Sequence, residues 1–385
     1  MKRGQNGQFN KNMAMQLIAK TLYGLEDVLV KEIQALGTKN IEKLKRAVAF
    51  EGDMSMMYRA NLHLRTALRI LVKITEFKAG NEEDLYCKIK KINWNEFIGL
   101  KDSFAIDTNV SSPVFTHSKY VAYKVKDAIA DFFREKTGRR PNVNVLEPDI
   151  KINIRIYNDT VTVSLDSSGE SLHRRGYKIQ TLDAPLNEVL AAGILLHTDF
   201  ESYKSFADPM CGSGTLVTEA LMINTNTAPN INREKFGFMT WSNFDRSLWQ
   251  EIMENAKKLI KEPDIKFYAS DSQRKAVFAT KKNLMLIPHG DKVTVEKKDF
   301  FRFDRCDQVD FIIMNPPYDV RLKEEGIVDF YRRIGDKLKK DCAPCTAWIF
   351  SANIPALKMT GLKPSKKIPL MNGKLEAQLR KFEVY

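Results

Sequence analysis

Along the first forty residues the hydrophobic positions form a short run and then a helical stripe. Met15 to Ala19 is apolar and predicts a strand. Gly24 opens a segment carrying Leu25, Val28, Leu29, Ile33 and Leu36 at the spacing of one helix face, and Gly37 stands where a C-terminal cap belongs. A longer stripe of Val121, Val125, Ala128, Ile129, Phe132 and Phe133 predicts a helix over about residues 119–136. Its other face holds Lys119, Lys124, Lys126 and Arg134, and Gly138 closes it. The clearest strand signal follows. Ile150, Ile152, Ile154 and Ile156 alternate with polar residues, and beyond Asn158-Asp159 so do Val161, Val163 and Leu165, which predicts a hairpin with one buried face. Residues 1–166 therefore read as an α+β region of two compact units without a catalytic cluster.

From about residue 167 the pattern changes. Helical segments alternate with short, continuously apolar ones: Ser205-Phe-Ala207, Lys266 to Ala269, Val309 to Met314 and Thr346 to Phe350. Strands buried on both faces have this composition, and their alternation with helices predicts a parallel sheet of βαβ units. Near the C-terminus, Asn372-Gly373 marks a hairpin turn. At 385 residues, 43% hydrophobic and 28% charged, the chain has the length of two or three domains and an ordinary globular balance, which excludes collagen-like and wholly disordered classes. Its net charge of +13 is spread over both halves, with 27 basic and 20 acidic residues before residue 167 and 34 and 28 after it. A distributed excess of this kind suits a polyanionic partner. Five cysteines without a regular framework, a polar basic start and no apolar stretch near the ~18 residues of a membrane span predict a cytoplasmic location and no membrane contact.

Candidate chemistry lies at the ends of the predicted parallel strands. Asp208-Pro-Met-Cys-Gly-Ser-Gly-Thr215 joins a strand to an amphipathic helix, and its glycines let a ligand lie against bare main chain beside a helix N-terminus. Val217 occupies the position where a dinucleotide fingerprint wants Gly or Ala, and no P-loop pattern occurs anywhere. Asp271 and Asp299 follow the next two strands, where carboxylates can accept hydrogen bonds from ribose or from an adenine amino group. The fourth strand runs directly into Asn315-Pro-Pro-Tyr318. Two prolines fix the chain direction there, leaving the Asn315 amide oxygen and the Pro316 carbonyl to accept from a planar amino group, and Tyr318 to stack on a base.

Asp208-Pro-Met-Cys-Gly-Ser-Gly and Asn315-Pro-Pro-Tyr resemble the cofactor and catalytic loops of class I S-adenosylmethionine-dependent methyltransferases that act on exocyclic amines. Ser164 to Lys178, Ala184 to Ala192, and the insert with Ala228-Pro-Asn, Phe236-Gly-Phe238, Trp241 and Phe244-Asp245 are similar to the bacterial 23S rRNA guanine-N2 methyltransferases that carry a THUMP domain. The resemblance implies a ferredoxin-like unit over residues 1–65, a THUMP RNA-binding domain over 66–166 and a Rossmann-like methyltransferase domain with a mostly parallel seven-stranded sheet over 167–385. It implies S-adenosyl-L-methionine as cofactor. The methionine end would meet Asp208, Cys211, Gly212, Ser213 and Gly214, the ribose Asp271, and the adenine Asp299 and Phe300, with Pro185 and Leu186 closing from upstream and Asn315 adjoining the cofactor. Catalysis would rest on Asn315, Pro316, Pro317 and Tyr318. The partner would be RNA, rRNA ahead of tRNA, with no obligate protein partner. The sequence departs from the family where the catalytic loop continues Asp319-Val-Arg-Leu322 instead of Gly-Glu-Arg-Leu.

Two other readings stay in view: an adenine-N6 methyltransferase of DNA, because the tetrapeptide grips any exocyclic amine, and an RNA-binding scaffold without catalysis. Cys342-Ala-Pro-Cys345 has metal spacing but lacks a second pair, so no metal is expected. Cys211 reads as a packing residue, and His173-Arg-Arg175 as either an interdomain or an RNA contact.

Overall fold

The computed structural model describes residues 14–182, 185–302, 309–317 and 324–385. Among them, eight strands form one sheet: β1 (Met15–Lys20), β2 (Glu42–Leu44), β3 (Ala47–Gly52), β4 (Arg69–Lys78), β5 (Ser103–Ser111), β6 (Asn142–Val143), β7 (Ile150–Tyr157) and β8 (Thr160–Asp166). The order is β2-β3-β1-β4-β8-β7-β5-β6, so the two units expected before residue 167 share one continuous sheet, joined where β4 pairs antiparallel with β8. The predicted helices form over Glu26–Ala35 and Ser118–Thr137, each followed by a glycine in the left-handed region, Gly37 at φ +84° and Gly138 at φ +70°. The hairpin of β7 and β8 also forms, but β8 is buried on both faces: Thr162, Ser164 and Asp166 are covered as well as its valines. β8 lies mid-sheet, where Thr162 donates to Glu76 Oε2 at 3.0 Å and Asp166 pairs with Arg69.

Seven strands form the second sheet: β9 (Ser205–Asp208), β10 (Lys266–Asp271), β11 (Val293–Lys297), β12 (Phe311–Met314), β13 (Cys345–Ser351), β14 (Lys366–Asn372) and β15 (Leu375–Val384). Their order is β11-β10-β9-β12-β13-β15-β14, with every pairing parallel except the two made by β15. Gly373 turns the terminal hairpin at φ +63°. The strand order reverses between β9 and β12, and open sheets of this kind bind ligands at the carboxyl ends of the strands on either side of that point. Two buried clusters cover the sheet: one includes Val189, Leu190, Leu216 and Val217, the other Tyr331, Ile334 and Leu338.

The two halves interlock. The insert after helix Thr215–Asn224 buries Phe236, Phe238 and Trp241, and the next helix, Arg246–Lys258, adds Trp249 and Ile252 to the core built by β1, β3 and helix Met54–His63. Tyr58 is the centre of this wedge, with ring centroids 4.5 Å from Phe238 and 5.9 Å from Trp249, while its hydroxyl accepts from Asp245 N at 3.0 Å. Around it, Arg65 donates to the carbonyls of Met222 and Thr227, at 3.1 and 2.8 Å. Arg233 donates to five carbonyls, those of Ser168, Glu170, Ser171, Arg174 and Lys235, all within 3.1 Å. Within the basic patch at the boundary, Arg175 reaches the N-terminal half by donating to Arg65 O at 2.6 Å and is buried 2.9 Å from the equally buried Glu219, whereas Arg174 is exposed and pairs with Glu170. No helix among the described residues is long and apolar enough to cross a membrane.

Candidate functional site

β9 ends at Asp208, whose side chain is buried and whose two carboxylate oxygens find no well-aligned hydrogen-bond donor. Burial and then the nearby Asp271 push its pKa up to about 8, and the main-chain N–H groups of Met210 and Val217 pull the other way. The chain then turns through a braced loop. Cys211 N donates to Ser270 O at 3.0 Å and Gly214 N to Cys211 O at 2.7 Å. Gly212 N donates to Asp271 Oδ2 at 3.1 Å. Gly214, at φ +79°, opens helix Thr215–Asn224, and a Cβ there would lie 2.6 Å from a Thr280 methyl. Gly212, at φ +55°, has open space where its Cβ would point. One glycine permits close packing and the other a left-handed turn with an unobstructed face.

Asp271 ends β10, its Oδ1 also accepting from Gln273 N at 2.9 Å. Asp299 follows β11, with Oδ1 accepting from Phe301 N at 3.0 Å, so it caps the short turn that seats the buried Phe300. Phe300, Asp208, Pro209, Tyr268, Ser270 and Glu296 are among the residues lining one pocket. β12, the neighbour of β9, runs into Asn315, Pro316 and Pro317. The Asn315 Oδ1 is buried and lacks a hydrogen-bond partner. Orphaned acceptors of this kind are uncommon in folded proteins and point to a missing ligand group or solvent.

Of the sequence-predicted residues, Asp208 and Phe300 line one pocket, and Gly212 is hydrogen-bonded to Asp271. Pro185 is exposed, although its neighbour Leu186 is buried in the cluster that includes Cys211 and Leu216. Cys211 is buried and its thiol is held well above the usual range by burial, as suits packing. Tyr318 and Asp319 to Leu322 lie outside the described residues.

Sequence reasoning missed the brace behind the loop. Asn283, on helix Arg274–Leu284, donates to Ser213 O at 3.0 Å and Gln180 O at 2.9 Å, and its Oδ1 accepts from Ile179 N and Gln180 N at 3.1 Å each. Thr280 on the same helix donates to Gly212 O at 3.0 Å. The signal for both was one of position: polar residues on a helix face otherwise made of Ala276, Val277 and Ala279. Tyr268, Thr294 and Glu296 were also missed, because strand alternation marks a lining side chain no differently from a solvated one.

A seven-stranded sheet in this order, with a glycine-rich loop after its first strand, defines a Rossmann-like methyltransferase. Comparison with known proteins agrees. Residues 175–381 match the family described as RMKL-like, methyltransferase domain; residues 79–166 match the THUMP domain; residues 16–71 match the RlmL ferredoxin-like domain. The chain is similar to a candidate RNA methyltransferase of Synechocystis sp., with 36% identity over 94% of this chain and 95% of that one. It is also similar to the ribosomal RNA large subunit methyltransferase K/L of Syntrophotalea carbinolica, with 34% identity over 94% of this chain, and spans 52% of that protein's length. Among solved structures, a candidate methyltransferase crystallised with S-adenosylhomocysteine superimposes with a TM-score of 0.86 at 28% identity, covering 98% of this chain and 99% of the other. The chain belongs to the RMKL-like methyltransferase family. It is an S-adenosylmethionine-dependent methyltransferase with a THUMP domain.

The residues present fit that cofactor. An unpartnered buried carboxylate at Asp208 suits an ammonium group, the open face of Gly212 admits a chain against the backbone, and the pocket beside Phe300 suits a planar ring.

Proposed function

We propose that the protein methylates the exocyclic N2 of a guanine in RNA, with 23S rRNA as the substrate, and that its domains divide near residues 65 and 166. Asp208 would hold the ammonium end of the cofactor, the loop from Cys211 to Gly214 its methionine chain, Asp271 the ribose, and Asp299 with Phe300 the adenine. Pro185 and Leu186 lie upstream as the closing segment. Bound S-adenosylmethionine supplies an electrophilic methyl group.

A guanine amino nitrogen is a weak nucleophile because its lone pair is delocalised into the ring. With its two hydrogens donated to Asn315 Oδ1 and the Pro316 carbonyl, the nitrogen is drawn towards tetrahedral geometry and its lone pair is directed outward. The new N–C bond forms as the C–S bond breaks, the electrons of that bond stay on sulfur, and the amino proton leaves to water. Positioning of this kind can supply roughly 7–11 kcal/mol of the barrier, so no general base is needed. The base must leave its stack to enter, and Tyr318 would receive it.

The observation that carries this reading is the buried, unpartnered Asn315 Oδ1 at the end of the strand beside Asp208. The test is tritiated methyl transfer to undermethylated 23S rRNA, to tRNA and to DNA, followed by nucleoside analysis. N2-methylguanine in rRNA supports the proposal; N6-methyladenine in its place, or label confined to tRNA or DNA, overturns it.

A further inference from the structure

Helix Arg274–Leu284 turns its inner face to the glycine-rich loop through Thr280 and Asn283. Its outer face, continued by the next residue, carries Arg274, Lys275, Phe278, Lys281, Lys282 and Met285, all exposed. Phe278 is 56% exposed, an unusual state for a phenylalanine, and Lys282 Nζ lies 5.6 Å from its ring centroid. No acidic residue occurs between Asp271 and Asp291, and none of the four cations takes part in an ion pair among the described residues. The basic helix expected from the sequence differs in this respect: Lys124 pairs with Glu83, Lys126 with Asp127 and Arg134 with Asp131. Much of that helix's charge is matched internally, whereas the charge of helix Arg274–Leu284 is not.

The position of the helix gives the unmatched charge a direction. Its start adjoins Asp271, through Gln273 N to Asp271 Oδ1 at 2.9 Å. Just beyond its end, Leu286 O accepts from Asn232 Nδ2 at 2.5 Å. Asn232 abuts Gly176, in the segment that leaves the N-terminal half: a Cβ on Gly176 would lie 2.6 Å from the Asn232 carbonyl oxygen. The face therefore runs from the junction with the N-terminal half to the mouth of the proposed cofactor pocket, about 16 Å at 1.5 Å per residue.

We infer that this face is an RNA track on the catalytic half, its four cations meeting backbone phosphates and Phe278 offering a ring to an unstacked base. Cationic grooves with exposed aromatics are the usual means of holding single-stranded nucleic acid. The inference rests on RNA as the substrate but not on which base is methylated.

The test is binding of in vitro transcribed 23S rRNA to the full chain, by filter retention across a salt series. The variants are Arg274→Gln/Lys275→Gln, Lys281→Gln/Lys282→Gln and Phe278→Ala. All of these side chains are exposed, so folding and S-adenosylhomocysteine affinity are expected to be unchanged, which calorimetry checks. Each double variant should flatten the log–log salt slope by about 1 to 1.5, given ~0.7 per phosphate contact on a single strand. Phe278→Ala should weaken binding about tenfold with the slope unchanged. Wild-type slopes and affinities in all three folded variants would overturn the proposal and leave a solvated helix face. The assay reads binding alone, so the identity of the methylated base is decided separately by nucleoside analysis.

Discussion

Asp208 and Asn315 are both acceptors buried without a partner, and they should fail in different ways. Asn315→Ala should lower the transfer rate by orders of magnitude while leaving S-adenosylhomocysteine affinity within about threefold, because the amide contributes to positioning of the base. Single-turnover kinetics with calorimetry separates the two effects, and full turnover in this variant would dismiss the amino-group clamp. Asp208 gives a pH signature. Burial holds its pKa up to about 8 against an ordinary 3.8, so in the empty site it is protonated at neutral pH. Binding an ammonium group favours the ionised form, and a proton must leave. Affinity for S-adenosylhomocysteine should therefore rise with pH towards about 8 and level off above it. Asp208→Asn should bind weakly with little pH dependence over that range. The stability of the ligand-free protein should move the opposite way. A carboxyl whose folded pKa is raised binds its proton more tightly when folded, so its contribution to stability is lost as pH climbs between the two values.

At the scale of elements, the prediction concerns the helix behind the loop. Asn283→Ala would strand the Ser213 and Gln180 carbonyls and the Ile179 and Gln180 N–H groups, and each buried polar group left unsatisfied costs about 1–3 kcal/mol. Calorimetry should show cofactor affinity falling about tenfold or more, with kcat at saturating cofactor much less affected. A parallel fall in kcat at unchanged affinity would mean that Asn283 does not act through the loop. Asn283 also marks the limit of what the sequence makes legible. β9, β10, β12 and β13 were readable as apolar runs, and Asp208, Asp271 and Asn315 as polar residues ending three of them, because strand ends carry strong local signals. A buried asparagine on a helix leaves no comparable trace, since its partners lie 70 and 103 residues away in the chain. The covered polar face of β8 was hidden for the same reason: alternation describes one strand, and its place in the middle of the sheet depends on β4.

For the whole molecule, the shared core sets the energetic boundary. Removing residues 1–166 would uncover Phe236, Phe238, Trp241 and Trp249. The truncated chain should aggregate or bind the dye ANS strongly, whereas a monodisperse, cofactor-binding fragment would show that the wedge is dispensable. Glu219→Ala tests the same junction more gently. It leaves Arg175 buried without its counter-ion, which commonly costs about 3–5 kcal/mol, measurable by urea unfolding. The aromatic insert was recognisable in the sequence by its similarity to the family, while its role as a wedge emerges only with Tyr58 beside it.

The five carbonyls gathered by Arg233 have a mechanical consequence. They leave the connection between the halves little slack, so the enzyme works like callipers locked at one opening. The proposed RNA substrate, gripped at one jaw, would have to offer its target nucleotide at a set reach from that grip, and the bending and unstacking needed to meet it would fall to the RNA.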